Sequence, residues 1–140
     1  MADVIVHHTG VAEPRHGLIT LTHIVYALHG FSALMGLLTP AFIVTSFLFG
    51  WPSIIGVIIN LVKRDEVRGT YLESHFSWQI RTFFYALLWV VVAVLLAFTI
   101  IGIPLAWIVA IVLGIWVLYR IVRGWLALVE GRSVRGAKYD

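Results

Sequence analysis

"YLESHFSWQIRTFFYALLWVVVAVLLAFTII", residues 71–101, reads as one helix with two unlike halves. Up to Arg81 it mixes acid, base, imidazole, amide and aromatic rings; from Thr82 on it carries no charge. At 1.5 Å per residue the whole run would measure about 46 Å, longer than the roughly 30 Å hydrocarbon core of a bilayer. The polar part must then lie outside or along the interface while the apolar part crosses. "GTYLE" places Thr70 three residues before Glu73, the spacing at which a hydroxyl caps one free N–H and a carboxylate reaches back to another. Tyr71, Phe76 and Trp78 then fall at headgroup depth, Glu73 stays wet, and Arg81 extends its stem toward lipid phosphates.

The rest of the chain fits the same solvent. Of its 140 residues 61% are hydrophobic and 12% charged, and the mean hydropathy is +0.97. That is more apolar surface than one small soluble domain can hide. Between Arg15 and Lys63 stand 47 residues without Asp, Glu, Lys or Arg, and between Arg81 and Arg120 another 38. A crossing takes roughly 20 residues, so each block holds two crossings and a tight turn. "GLLTPAF" puts Thr39 and Pro40 near the middle of the first block, and "TIIGIPLAW" puts Gly102 and Pro104 near the middle of the second. Proline suits the first turn of a helix, and the residue before it resists helical geometry.

The expected fold is an all-α integral membrane protein with four transmembrane helices as two helical hairpins. The spans are expected at about 18–38, 41–62, 82–101 and 104–123, with an interfacial extension at the start of the third. Around this membrane domain, 17–127, lie a polar tail, 1–16, and a basic tail, 128–140. In "FGWPS", Pro52 either kinks the second span or starts it, leaving open whether Pro40 or Pro52 marks the first turn. Four spans put all ten Lys and Arg on one side, which the positive-inside rule makes cytoplasmic, with both termini in. The first sixteen residues lack the basic n-region and cleavage site of a signal peptide, so the first span is expected to be retained.

No cysteine occurs, which removes disulfides, thiolate metal sites and cysteine catalysis. The net charge of +3 sits at the ends of the spans, where orientation and anionic lipid account for it, and nucleic acid is not expected as a partner. No metal centre is expected: His7, His8 and His16 lack a carboxylate or cysteine at ligand spacing.

Several side chains are candidates for binding. His75 and Gln79 are one helical turn apart and share a face. Either they bind a group from a partner or ligand, beside Trp78 and with Asn60 of the second span as neighbour, or they satisfy acceptors where the chain enters the membrane. His23 and His29 are the readily ionisable groups of the first apolar block, and such groups are expensive inside a span. A bis-histidine haem would need a second imidazole at matching depth, which the other spans lack, so only a dimer's second His29 or a partner's ligand could complete it. Otherwise each is a neutral histidine bonded to a neighbouring helix. Ser32 and Gly36 form a small-xxx-small pair, and Gly56 and Gly114 could also admit close helix packing. Arg120 and Arg123 are three apart, flanked by Trp116, Tyr119 and Trp125, so they either hold lipid phosphate or pair with Glu73 or Asp65. Arg64 and Arg81 are further headgroup candidates.

"IINLVKRDEVRGTYLESHFSWQIRTFF" followed by "YRIVRGWLALVEGRS" resembles small bacterial four-span inner-membrane proteins of a domain-of-unknown-function family. That group is loosely related to the plastid inner-envelope import components of the Tic-twenty type. The resemblance covers most of residues 20–134 and rests on Lys63, Arg64, Asp65, Glu73, Ser74, His75, Trp78, Gln79, Arg81 and Thr82, then Tyr119, Arg120, Gly124 and Trp125. "MGLLTPAFIVTSFLFGWP" is longer than the group's first turn. The resemblance implies four helices, both ends in the cytoplasm and a bacterial inner membrane, and it brings no reaction.

Two functions follow as expectations. One is a non-enzymatic accessory, assembly or stabilising subunit packed against a larger membrane complex, with bound lipid and no predicted cofactor. The sequence has no paired carboxylates, no phosphate loop and no nucleophile beside a base. The other is a homo-oligomeric pore or translocation component, for which only scattered Thr22, His23, His29, Thr45, Ser46, Asn60 and Thr99 would line a path. A haem-binding subunit through His23 or His29 is a distant third.

Overall fold

Valine-rich stretches such as "VVVAVLL" favour strands in water, where β-branched side chains lose rotamer freedom in a helix. In hydrocarbon each backbone N–H must find its partner within the segment, and helix prevails. A computed structural model describes residues 12–38 and 43–134, with side chains from Gly50 onward in the second segment. Pro40, His7, His8 and the outer parts of both tails lie outside the described residues. The helices are α1 (His16–Leu38), α2 (Ile43–Lys63), α3 (Leu72–Ala97) and α4 (Gly102–Val129), with a 3-10 turn at Arg64–Val67. Apart from one isolated bridge between Ala12 and Thr70, regular structure among the described residues is helical. Among the described residues three helices, α1, α3 and α4, are long and apolar enough to cross a membrane.

Pro52 lies inside α2 and does not start it. Proline removes one helical hydrogen bond and crowds the preceding turn. The neighbouring Ser53 N–H donates to Ser32 Oγ of α1 at 3.2 Å, so the disturbed turn is held from across the helix pair. Ser32 therefore contacts α2 through its hydroxyl, whereas a Cβ built at Gly36 would meet nothing within 4 Å among the described residues. Gly114 is a close approach: a Cβ there would stand 2.9 Å from Leu37 Cδ1 of α1.

Two local expectations need correction. The Thr70 hydroxyl does not cap α3; it donates to the Val67 carbonyl at 2.7 Å, and Tyr71 is the N-cap, without a side-chain cap. Glu73 does reach back, but to the Gly69 N–H at 3.0 Å. The left-handed Gly69 (φ 75°) turns that N–H toward the carboxylate. The third helix also stops at Ala97 rather than running to Ile101. Thr99 Oγ1 donates to the Leu96 carbonyl and accepts from the Gly102 N–H, so one side chain ends α3 and opens α4.

The far end of α4 closes differently. Gly131 takes φ 64°, its N–H donates to the Leu128 carbonyl, and the Arg132 N–H donates to the Ala127 carbonyl. This is a Schellman motif, which glycine in the left-handed region permits. It folds residues 132–134 back over the start of α3.

Packing follows from these ends. α1 lies against α2 and α4, and α3 lies mainly against α4. The buried apolar cluster of Leu18, Tyr26, Val67, Leu72, Phe76, Ile121 and Leu128 sits where α1 and α3 begin and α4 ends. The core is thus at the polar end of the bundle. Along the apolar windows only 28% of α1, 6% of α3 and 11% of α4 is buried inside the chain, leaving Leu88, Trp89, Val112 and Ile115 exposed.

A candidate buried polar site

Helical spacing brings the polar side chains of all four helices together at that end. His75 is fully buried. Its Nδ1 lies 2.9 Å from Tyr26 Oη of α1, and its Nε2 lies 2.9 Å from the Arg132 carbonyl. A carbonyl can only accept, so Nε2 carries the hydrogen, and Nδ1 accepts from the Tyr26 hydroxyl. Both nitrogens are used, and the imidazole joins α1 to the returning chain after α4. Ser74 completes the clasp: its hydroxyl donates to the Tyr71 carbonyl and accepts from the Val134 N–H at 3.0 Å.

The clasp continues through α4. The Tyr26 ring stacks on Trp125 at 6.3 Å and 11°, and Trp125 Nε1–H donates to His23 Nδ1 at 2.9 Å. Gly124 makes room for this ring, since a Cβ there would stand 2.8 Å from Tyr26 Cε1. His23 and His75 therefore belong to one chain of rings, His23–Trp125–Tyr26–His75, hydrogen-bonded at its two ends and stacked in the middle. His29 does not.

His29, one turn beyond Tyr26 on α1, turns instead toward Gly56 of α2, whose added Cβ would stand 3.4 Å from its ring atoms, and toward Phe83 of α3, 6.4 Å between centroids. Asn60 and Gln79 stand one helical turn from Gly56 and Phe83. Asn60 Nδ2 donates to Gln79 Oε1 at 2.7 Å. His29 Nε2, Asn60 Oδ1 and Gln79 Nε2 are buried without a hydrogen-bond partner among the described residues. Gly56 thus serves packing by admitting an imidazole rather than a second backbone.

Trp78 links α3 to α4. Its Nε1–H donates to the Arg120 carbonyl at 3.0 Å, and the Arg120 guanidinium lies 3.6 Å over its ring. Arg120 Nε donates to Thr82 Oγ1 at 2.7 Å. The alternative pairing of Arg120 or Arg123 with Glu73 or Asp65 is absent among the described residues. Asp65 pairs with Arg68 at 3.1 Å, Glu73 holds Gly69, and the Thr82 bond directs Arg120 along α3. Lys63–Glu66 and Arg132–Glu130 are further pairs on the rim; such exposed pairs contribute about 0–1 kcal/mol each. Arg64 is exposed, and Arg81 is half-buried. Burial, and behind it the Glu13 carboxylate, hold the Tyr71 hydroxyl above the usual phenol range.

Tyr26, Ser74, Thr82 and Gly124 complete the site; Ser74, Thr82 and Gly124 stand in the sequence reading only as residues that carry the resemblance, and Tyr26 does not stand there at all. A signal existed for Tyr26, which stands three residues from each of His23 and His29. For Gly124 it was the one small residue in "RIVRGWL". No family model matches the chain, and neither a curated protein nor a solved structure matches it.

Proposed function

We propose that the chain is a four-span integral membrane protein of the bacterial inner membrane, both termini cytoplasmic, acting as a non-enzymatic accessory or stabilising subunit of a larger membrane complex. The carrying observation is the small share of α3 and α4 buried inside the chain, 6% and 11% of their apolar windows. Helices in lipid associate through van der Waals packing, interhelical hydrogen bonds and lipid entropy. Most of the interhelical hydrogen bonds lie at one end, and Phe84, Leu88, Trp89, Trp107 and Val112 are exposed along the rest. A rigidly clasped end with two apolar helices beyond it suits a subunit that docks sideways onto another membrane protein.

The Lys and Arg distribution supports the topology, since Lys63, Arg64 and Arg68 between α2 and α3 would share a side with Arg132, Arg135 and Lys138 after α4. The chain has no cysteine, so single-cysteine labelling reads this directly. In inverted and right-side-out vesicles, Asp65→Cys reacts with an impermeant thiol reagent from the cytoplasmic face and Thr99→Cys from the opposite face. Reaction of both from one face overturns the paired spans. For the function, extraction in mild detergent yields a complex of fixed stoichiometry with another membrane protein. Purification as a lone species of its own mass overturns the accessory role.

A further inference from the structure

On α4, Arg120, Arg123 and Ala127 fall on one stripe facing α3. Two guanidinium groups share a single indole: over Trp78, Arg120 Cζ stands at 3.6 Å and Arg123 Cζ at 5.6 Å. Trp116 flanks Arg120 at 5.0 Å. Like charges so close repel, and neither arginine pairs with a carboxylate among the described residues. Arg120 is held in place by two rings and by its Nε bond to Thr82, which leaves its Nη edge for a planar two-point partner. Beside it opens a cleft of about 400 Å³ lined by Arg123, Ala127, Arg132 and Val134. Arg132 faces Arg123 there, with its Nε turned to Glu130. Leu88, Val112 and Ile115 are exposed farther along the same two helices.

From this geometry we propose that Arg120 and Arg123, set over Trp78, and Arg132, across the cleft from Arg123, bind the phosphate of an anionic phospholipid whose acyl chains lie along α3 and α4. The inference rests on the membrane assignment of the chain and not on its having a protein partner. The guanidinia supply what a phosphodiester needs, namely fixed donors in fork geometry and net positive charge. The aromatic rings place them at headgroup depth, and the exposed apolar residues continue into hydrocarbon.

Native mass spectrometry of the purified full chain, titrated with phosphatidylglycerol or phosphatidylcholine in the same detergent, tests the site. Phosphatidylglycerol is expected to bind more tightly, and Arg123→Gln to weaken it about fivefold while leaving phosphatidylcholine unchanged. Arg123 is exposed and outside the core, so this variant folds; Arg132→Gln, across the cleft, is expected to act in the same direction. Equal binding of the two lipids, or undiminished phosphatidylglycerol binding in both variants, overturns the proposal. Inorganic phosphate separates the two sources of the anion. If it displaces phosphatidylglycerol only at far higher concentration, the lipid reading stands; if it binds as tightly as the lipid, the site is one for free phosphate and the lipid reading fails.

Discussion

Gly124→Ala destabilises the fold by about 2 kcal/mol, against the usual sign for glycine within a helix. Alanine is favoured over glycine in a helix interior by about 1 kcal/mol. At position 124 that gain is overridden, because the added methyl would stand 2.8 Å from Cε1 and 2.9 Å from Cζ of Tyr26. The ring cannot swing aside. Trp125 stacks on one face, and the Tyr26 hydroxyl is committed to His75. Relief therefore requires α1 to move from α4 or the Tyr26–His75 bond to break. Gly36→Ala is the control, since nothing lies within 4 Å there among the described residues, and it is neutral or stabilising. Unfolding in detergent measures both; equal effects of the two substitutions would refute the close fit of Tyr26.

His75→Ala has the larger effect, a loss of about 3 kcal/mol or more. It opens a cavity at a fully buried position and orphans both the Tyr26 hydroxyl and the Arg132 carbonyl. Tyr26→Phe removes only one of the two bonds and costs about 1–2 kcal/mol. The ordering tests which contact matters more: if the two substitutions cost the same, the Arg132 carbonyl contributes nothing. Limited proteolysis after Gly131 reports the second bond separately. The segment is cut faster in the His75→Ala protein than in the Tyr26→Phe protein.

The all-helical character was legible because the bilayer reduces it to counting. Long charge-free blocks must be helix, and prolines and charges bound them. The ends of α3 were less legible. Thr70 and Glu73 have the spacing of a capping box, yet Gly69 turns its own N–H to Glu73 and leaves Thr70 to bond backward. Thr99 ends the helix early because its hydroxyl offers the backbone a local partner, a competition that hydropathy does not register. The candidate site was legible in its members on one helix and illegible across helices. His75 and Gln79 share a face by spacing alone, but one bonds Tyr26 and Arg132 while the other bonds Asn60. Which neighbour each meets depends on helix rotation, to which His23, Trp125 and Gly124 all contribute from distant parts of the chain.

The bond between His75 and Arg132 spans 57 residues. At roughly 5–20 residues per second, the ribosome makes residue 132 about 3–11 s after residue 75. Through that interval the imidazole N–H must stay in water or borrow a partner. The start of α3 can then bury its histidine only after α4 is complete and Gly131 has reversed the chain. Burial of His75 is accordingly a late step, with residues 132–134 acting as the latch on a helix made long before them.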